Sequence, residues 1–346
     1  MCIRDSYIPS RKSADASTGD VVMVQLVGRG GGRHPGPRGE IVKILQRQTH
    51  EFVGTYFESD GSGYVAVDGT LFSQPILVGD PGASGARPDD KVVIDMVRFP
   101  SHVREGEGVI TEVLGRQGQP GVDTMSIIRE FGLPDEFPEV VLEEAREQAD
   151  RFEESIPPGR LDATNLVVLT IDPADARDFD DAISLERLSN GHWKLGVHIA
   201  DVSHFVQPKS ALDREAYQRG TSVYLPDRVI PMLPEVISNG LASLQPGKVR
   251  YTKTVFIEFT ADGLRVDTEM HSAAIKSRRR LTYEQVDQFL DDPRPWRRKL
   301  GMKVHDLLGR MHELAMILRS RRMRRGALEL SMPEVKVELD RQGRVT

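Results

Sequence analysis

The stretch from Leu166 to Ser184 reads LVVLTIDPADARDFDDAIS and combines a strand pattern with a cluster of acidic residues. Its first part, 166–171, has the length and composition of a strand that is buried on both faces. Four acids end or follow this run: Asp172, Asp178, Asp180 and Asp181. A second strand pattern begins directly after them. The spacing therefore predicts four carboxylates on one loop at the edge of a sheet.

Crowded carboxylates repel one another unless a cation lies between them, and hard divalent ions prefer oxygen ligands. The cluster thus predicts a Mg²⁺ site, with Mn²⁺ as a possible substitute, whose ligands are Asp172, Asp178, Asp180 and Asp181. Two such ions suit phosphodiester cleavage, because one activates water while the other stabilises the leaving oxygen. A nuclease is the natural interpretation of such a loop.

Three other interpretations of the acidic cluster compete with a Mg²⁺ site. An EF-hand loop is a poor match, because the sixth position counted from Asp172 is Arg177 instead of glycine. Turn or cap preferences explain one or two of the aspartates but not all four. A solvated acidic loop stays open as an alternative.

The composition bounds the class of protein. In 346 residues no apolar run approaches the roughly 18 residues that a bilayer requires, which excludes a membrane-spanning role. The single cysteine, Cys2, cannot form an internal disulfide, and the N-terminus lacks the basic segment followed by an apolar one that would indicate secretion. We therefore expect a cytoplasmic protein.

The net charge of −6 hides basic segments. Lysine and arginine are concentrated in 276–280, 297–299 and 319–325. Each cluster alone is typical of a solvated helix face, but together they favour a polyanionic partner.

A weak internal repeat of roughly seventy residues is visible in the first third of the chain. Paired β-rich runs occupy 19–26 with 38–45, and again 90–97 with 107–114. Two more strand patterns precede the second pair, so 50–116 is predicted to form a five-stranded barrel and the first pair to be the tail of a similar one. The glycines at 28–32 are interpreted as a hairpin loop, since no Gly-Lys-Ser/Thr follows.

Aromatic residues near these strands are candidates for stacking on single-stranded nucleic acid. In the barrel they are Tyr56, Phe57 and Tyr64, although filling the barrel is an equally good explanation for each. Tyr224 lies in an extended, proline-rich segment and is a further candidate, with simple packing as its alternative. His198 and His204 could be ligands or bases, but a lone histidine in an apolar strand is more often a hydrogen-bonded core residue, so neither is assigned a chemical role.

Further along the chain, the patterns predict helices at 140–154, 281–290 and 304–325, and strands at 327–330 and 335–339.

Four segments together resemble the catalytic domain of the ribonuclease II/ribonuclease R (RNB) family: 170–182, 198–203, 220–224 and 231–234. The preceding barrels look like that family's tandem cold-shock domains. The resemblance implies a mixed α+β fold in which small OB-fold (cold-shock) barrels precede the first part of an α/β RNB catalytic domain. The implied division is a partial cold-shock domain at 1–48, a second at 49–118, a helical linker at 119–165 and a partial RNB domain at 166–346.

The resemblance also implies an enzyme, a 3′-to-5′ hydrolytic exoribonuclease that releases nucleoside 5′-monophosphates from single-stranded RNA with Mg²⁺. Asp172, Asp178, Asp180 and Asp181 match the family's four acidic positions. Among these, Asp178 and Asp180 are implied to be catalytic. Tyr224 matches the aromatic residue that stacks on the 3′-terminal nucleotide.

A non-catalytic RNA-binding protein on the same fold is the main alternative, and a deoxyribonuclease is a third. A pure RNA binder has no need of four acids, which repel a polyanion. The family pattern continues before and beyond this sequence, so we expect a fragment of a longer protein, monomeric and without a membrane partner.

Overall fold

The computed structural model describes residues 6–16, 19–29, 36–47, 49–72, 74–100, 104–330, 332 and 337–344. Contacts within the chain define two compact units. One comprises Met1–Asp135, Tyr224–Ile230 and Val335–Thr346, and the other comprises Glu136–Val223 and Pro231–Glu334. The predicted domain boundaries at 48, 118 and 165 remain predictions.

The first unit begins with an antiparallel hairpin. Strand β1 (Val21–Arg29) pairs with β2 (Pro37–Gln46), as predicted from the runs at 19–26 and 38–45. Arg47 anchors this hairpin through ion pairs with Asp15 at 2.7 Å and Asp20 at 2.8 Å. The predicted hairpin loop at 28–32 lies mostly outside the described residues.

A closed five-stranded barrel follows, with the order β3-β4-β5-β7-β6. Its strands are β3 (Glu51–Ser59), β4 (Ser62–Val67), β5 (Ile76–Gly79), β6 (Asp90–Arg98) and β7 (Glu107–Arg116). Alternate residues point inward and form the core, which includes Phe52, Tyr56, Val65, Ile76, Val92 and Ile94. Helix α1 (Val122–Glu130) follows β7. The barrel confirms the five-strand prediction for 50–116.

Burial corrects one predicted RNA-binding residue. Tyr56 is 0% exposed, its hydroxyl donates to Glu58 at 3.0 Å, and the same oxygen accepts the Gly82 N–H at 2.8 Å. A ring enclosed in the barrel cannot stack on a base, so that prediction for Tyr56 is wrong. Phe57 and Tyr64 are directly opposite each other on β3 and β4, partly exposed, with stacked rings 5.7 Å apart.

The second unit is built on a seven-stranded sheet with the order β16-β9-β10-β11-β14-β15-β8. The remaining strands are β8 (Leu161–Asp162), β9 (Val168–Asp172), β10 (Asp181–Arg187), β11 (Trp193–Ala200), β12 (Val223–Tyr224), β13 (Val229–Ile230), β14 (Val249–Phe259), β15 (Arg265–Lys276) and β16 (Arg279–Thr282). Strands β12 and β13 form a separate two-stranded ribbon, of which the residues from Tyr224 to Ile230 belong to the first unit. The helices are α2 (Glu139–Arg151), α3 (Val202–Phe205), α4 (Ala211–Arg219), α5 (Tyr283–Asp291), α6 (Trp296–Leu300) and α7 (Met302–Arg324), and a π-helix spans Val236–Leu241.

Strand β9 lies between β16, with which it is parallel, and β10, with which it is antiparallel. Its successive residues Val168 and Leu169 are both 0% exposed and belong to different hydrophobic clusters. Packing on both faces confirms the prediction of a buried strand that ends at the acidic cluster.

The predicted helices are confirmed as α2, α5 and α7. The predicted strand at 327–330 is wrong: these residues are irregular, and Leu328 and Leu330 are 83% and 80% exposed. Within the described part of the chain no strand pairs with this segment, and an unpaired strand leaves its backbone groups unsatisfied. The predicted strand at 335–339 lies partly outside the described residues. No described helix combines the length and apolar character that crossing a bilayer requires.

Candidate active site

The acidic loop, residues 173–180, joins β9 to β10. Asp172 is the last residue of β9, and Asp181 is the first residue of β10. Because these neighbouring strands pair through Leu169 and Ile183, their ends hold the two aspartates at the same edge of the sheet. The predicted position of the four acids relative to the strands is confirmed.

The middle of the acidic loop is fixed by Ser243, which is 1% exposed. Its hydroxyl donates to the Arg177 carbonyl at 2.8 Å and accepts the Phe179 N–H at 3.2 Å. The N–H of Leu244 donates to the Phe179 carbonyl at 2.8 Å, and the Phe179 side chain is buried in the core. The chain on both sides of Asp178 is thereby held in one conformation.

The end of the acidic loop is held by β11. The N–H of Ala200, the last residue of that strand, donates to the Asp180 carbonyl at 2.8 Å. Asp181 pairs with Ile199 in the ladder between β10 and β11. The backbone positions of Asp180 and Asp181 therefore depend on where β11 ends.

Three of the four acids share one electrostatic environment. Burial raises the pKa of Asp172; the Thr170 hydroxyl and the charge of Arg280 oppose this rise, and the charges of Asp181 and Asp180 add to it. Burial and the charge of Asp180 raise the pKa of Asp181. Asp178 is half-buried on the same loop. Keeping Asp172 and Asp181 ionised in this environment lowers the local stability of the fold, and such perturbed carboxylates are typical of functional sites.

The donor chemistry of this cluster fits a hard divalent cation. Asp172 is 6% exposed, and its Oδ2 is buried without a hydrogen-bond partner, so a cation would satisfy it. Among the described residues, however, no three acidic, histidine or cysteine side chains are gathered closely enough to hold a metal ion. Like charges separate when no cation bridges them. The four-ligand metal site stays a prediction.

Asp172→Asn is expected to stabilise the fold in buffer without divalent ions. Since the folded state raises the pKa of Asp172, its protonation stabilises the fold at low pH, and this contribution is lost as the pH rises through the raised pKa. At pH 7.5 the neutral asparagine should raise the melting temperature by about 2 °C or more, whereas the gain should shrink toward pH 4. Thermal denaturation at both pH values measures this.

Asp175→Asn makes the same charge change at an exposed position of the acidic loop and serves as the control. An unchanged or lower melting temperature for Asp172→Asn at pH 7.5 would contradict the assignment of Asp172 as a carboxylate under electrostatic strain.

The expectation of a hydrogen-bonded core histidine is confirmed for His198 but not for His204, which is exposed. His198 is 0% exposed, and its ring lies 2.9 Å from both the Ser184 and the Thr254 hydroxyls. Burial lowers its pKa to about 4, so the ring is neutral at pH 7. A side chain on Gly196 would collide with Ser184, so this polar contact in the sheet requires glycine. His204 packs edge-on against the rings of Phe205 and Tyr251.

A buried ion pair next to the site was not predicted from the sequence. Arg160 contacts Asp201 at 2.7 Å, and their side chains are 10% and 1% exposed. Hydrogen bonds from Ser203 and Arg160, together with the charge of Lys253, lower the pKa of Asp201, although its burial alone would raise it. Asp201 directly follows Ala200, so this ion pair fixes the end of β11 that holds Asp180. The only sequence signal was the position of Asp201 within the segment 198–203.

Tyr224 lies at the end of β12 and is 68% exposed. The ribbon turns between β12 and β13, where the Leu225 N–H donates to the Arg228 carbonyl at 2.9 Å. The ring is accessible, as its predicted role requires, and the role itself stays a prediction.

Comparisons with known proteins agree with this arrangement. The model of the RNB domain matches residues 160–346, and the model of a cold shock domain matches residues 64–138. The chain belongs to the RNB family. The mixed α+β fold with a cold-shock/OB barrel, implied by the resemblance, is confirmed.

Among curated RNB proteins, the chain is 42% identical to ribonuclease R of Thermotoga maritima, over 98% of this chain and 47% of that protein. It is 35% identical to ribonuclease R of Acidithiobacillus ferrooxidans, over 94% of this chain and 74% of the relative. The chain therefore spans about half the length of the first of these relatives.

Two solved structures share the fold to different extents. Mycoplasma genitalium RNase R in complex with ribose-methylated single-stranded RNA is 25% identical, with a TM-score of 0.86 over 99% of this chain and 53% of that one. Yeast Ssd1, described as a pseudonuclease, is 19% identical with a TM-score of 0.61 over 91% of this chain and 40% of that one, and shares the fold alone.

Proposed function

We propose that this chain carries the hydrolytic site of a 3′-to-5′ exoribonuclease that degrades single-stranded RNA to nucleoside 5′-monophosphates. The observation that carries the proposal is the acidic loop, whose backbone is fixed at Arg177, Phe179 and Asp180, while the charge of Asp180 raises the pKa of the flanking Asp172 and Asp181. Membership of the RNB family and the similarity to proteins named ribonuclease R support it. A monomeric, cytoplasmic protein is part of the same proposal.

The proposed metal ligands are Asp172, Asp178, Asp180 and Asp181, and the proposed ion is Mg²⁺, with Mn²⁺ as a substitute. When bound, the ion would supply an activated water and stabilise negative charge on the leaving oxygen. Asp178 and Asp180 are the proposed catalytic residues, because the backbone on both sides of them is fixed by Ser243 and Ala200. A rigid backbone keeps their carboxylates in place without reorganisation during the reaction.

Single-stranded RNA is the proposed partner. Phe57 and Tyr64 present stacked, partly exposed rings on the barrel, and Tyr224 presents an exposed ring on the β12–β13 ribbon. Aromatic faces bind successive bases by stacking, whatever the sequence. The solved relative bound to single-stranded RNA supports this choice of partner.

The proposal is tested with RNA and DNA oligonucleotides labelled at the 5′ end, incubated with the chain in Mg²⁺ or in EDTA. We expect the RNA to shorten from its 3′ end only in Mg²⁺, with nucleoside 5′-monophosphates as the product, and the DNA to stay intact. RNA that binds without being cut would favour the non-catalytic RNA-binding protein. Equal cleavage of DNA would favour a deoxyribonuclease.

Tyr224→Ala is expected to weaken binding of single-stranded RNA by about tenfold, because stacking on one aromatic ring is worth about 1–3 kcal/mol per base. Fluorescence anisotropy in EDTA measures binding without hydrolysis. Tyr217, on α4, is 87% exposed and gives the matched control Tyr217→Ala, which should leave the affinity unchanged. Equal affinities of the two variants would refute the proposed role of Tyr224.

A further inference from the structure

Arg280 contacts the start of the acidic loop. It lies on β16, which runs parallel to β9 and places Arg280 opposite Thr170 in the ladder. Its Nη2 donates to the Pro173 carbonyl at 2.6 Å and to the Ala174 carbonyl at 2.9 Å. One guanidinium nitrogen thus joins the two residues through which the chain leaves β9.

The surroundings of Arg280 differ from those of a solvated arginine. Its Nε is buried without a hydrogen-bond partner, and its guanidinium carbon lies 5.1 Å from the centre of the Phe179 ring. The side chain therefore spans from the first residues of the acidic loop to Phe179, near its end. An arginine can do this because its planar, weakly hydrated head both donates hydrogen bonds and packs on an aromatic face.

We propose that Arg280 is the positioning residue of the acidic loop: it holds the Pro173 and Ala174 carbonyls while its guanidinium packs near the Phe179 ring, and so fixes the loop that carries Asp178 and Asp180. This role deepens the proposed nuclease function and depends on it only in the kinetic experiment below. The alternative is that Arg280 is only one of the cations of the basic cluster 276–280 and has no specific effect on the acidic loop.

Hydrogen exchange tests the contact part. The Ala176 amide donates to the Pro173 carbonyl at 3.2 Å, and Arg280 donates to the same carbonyl. Arg280→Gln should therefore accelerate exchange at the Ala176 amide about fivefold. Arg279→Gln, at the preceding exposed position of β16, removes the same charge and is the matched control, which should leave this amide unchanged.

Unchanged exchange at Ala176 in Arg280→Gln would overturn the inference, because the hydrogen bonds of Arg280 would then not hold the loop. An equal acceleration in Arg279→Gln would overturn it too, since any cation of the cluster would then suffice.

Kinetics test the positioning part. If the chain hydrolyses RNA, Arg280→Gln should lower kcat about tenfold with little change in KM, because a displaced loop impairs the reaction more than the binding of RNA. A rise in KM at constant kcat would make Arg280 an RNA-binding residue and contradict its positioning role. A wild-type chain that cuts no RNA would refute the proposed function, while hydrogen exchange at Ala176 would still decide whether Arg280 holds the loop.

Discussion

Asp180→Asn is expected to reduce the rate of RNA hydrolysis by about 10²–10³-fold while RNA binding changes little. Asparagine has nearly the same shape as aspartate, and the hydrogen bond from Ala200 to residue 180 uses the backbone carbonyl, so the loop should keep its conformation. The substitution removes one negative charge from the field that Asp172 and Asp181 share. A charge that acts on the transition state affects kcat far more than it affects substrate affinity.

The measurement is single-turnover hydrolysis of a 5′-labelled RNA in Mg²⁺, paired with anisotropy in EDTA. Asp175→Asn is the matched control, because it removes the same charge from the same loop at an exposed position not assigned to the metal. We expect near-normal hydrolysis from this control. Normal hydrolysis by Asp180→Asn, or an equal loss in Asp175→Asn, would show that the site has been assigned to the wrong carboxylates.

The sequence alone predicted the strand and the acidic loop because both depend on local signals. A continuous apolar run that ends in closely spaced aspartates is typical of a buried strand followed by an exposed loop. The structure has this arrangement in β9 and the acidic loop. The barrel could also be predicted, since the alternation of apolar and polar residues, together with turn residues, specifies hairpins within short segments.

The residues that hold the acidic loop could not be predicted in this way. Ser243 is 64 positions from Phe179 and Arg280 is 107 from Pro173, so only the folded sheet brings them together. Tyr56 was misassigned because an alternating strand pattern does not say which face is the core. Phe57, the next residue, points the opposite way and remains a candidate.

The acidic loop combines two opposing demands. Its backbone is satisfied by hydrogen bonds from Ser243, Leu244, Ala200 and Arg280, whereas the charge of Asp180 raises the pKa of Asp172 and of Asp181 at its two ends. These hydrogen bonds prevent the backbone from moving in a way that would separate the carboxylates. Holding these like charges close together lowers the stability of the fold, but it keeps the site in a conformation that can bind a cation.

Asp201→Asn is expected to lower the free energy of unfolding by about 3 kcal/mol, the largest stability loss predicted here. The carboxylate is 1% exposed and pairs with Arg160, which is itself 10% exposed, so asparagine leaves a buried guanidinium without its counter-ion. Urea denaturation measures the loss. Glu139→Gln breaks an ion pair with Arg146 whose side chains are 64% and 60% exposed, and it should cost less than about 1 kcal/mol.

The same substitution links stability to the site. Because Asp201 follows Ala200, loosening this ion pair should also loosen the hydrogen bond from Ala200 to the Asp180 carbonyl. Hydrogen exchange at the Ala200 amide should therefore accelerate in Asp201→Asn and stay unchanged in Glu139→Gln. An Asp201→Asn chain as stable as Glu139→Gln, with a protected Ala200 amide, would mean that β11 holds the acidic loop without help from the buried pair.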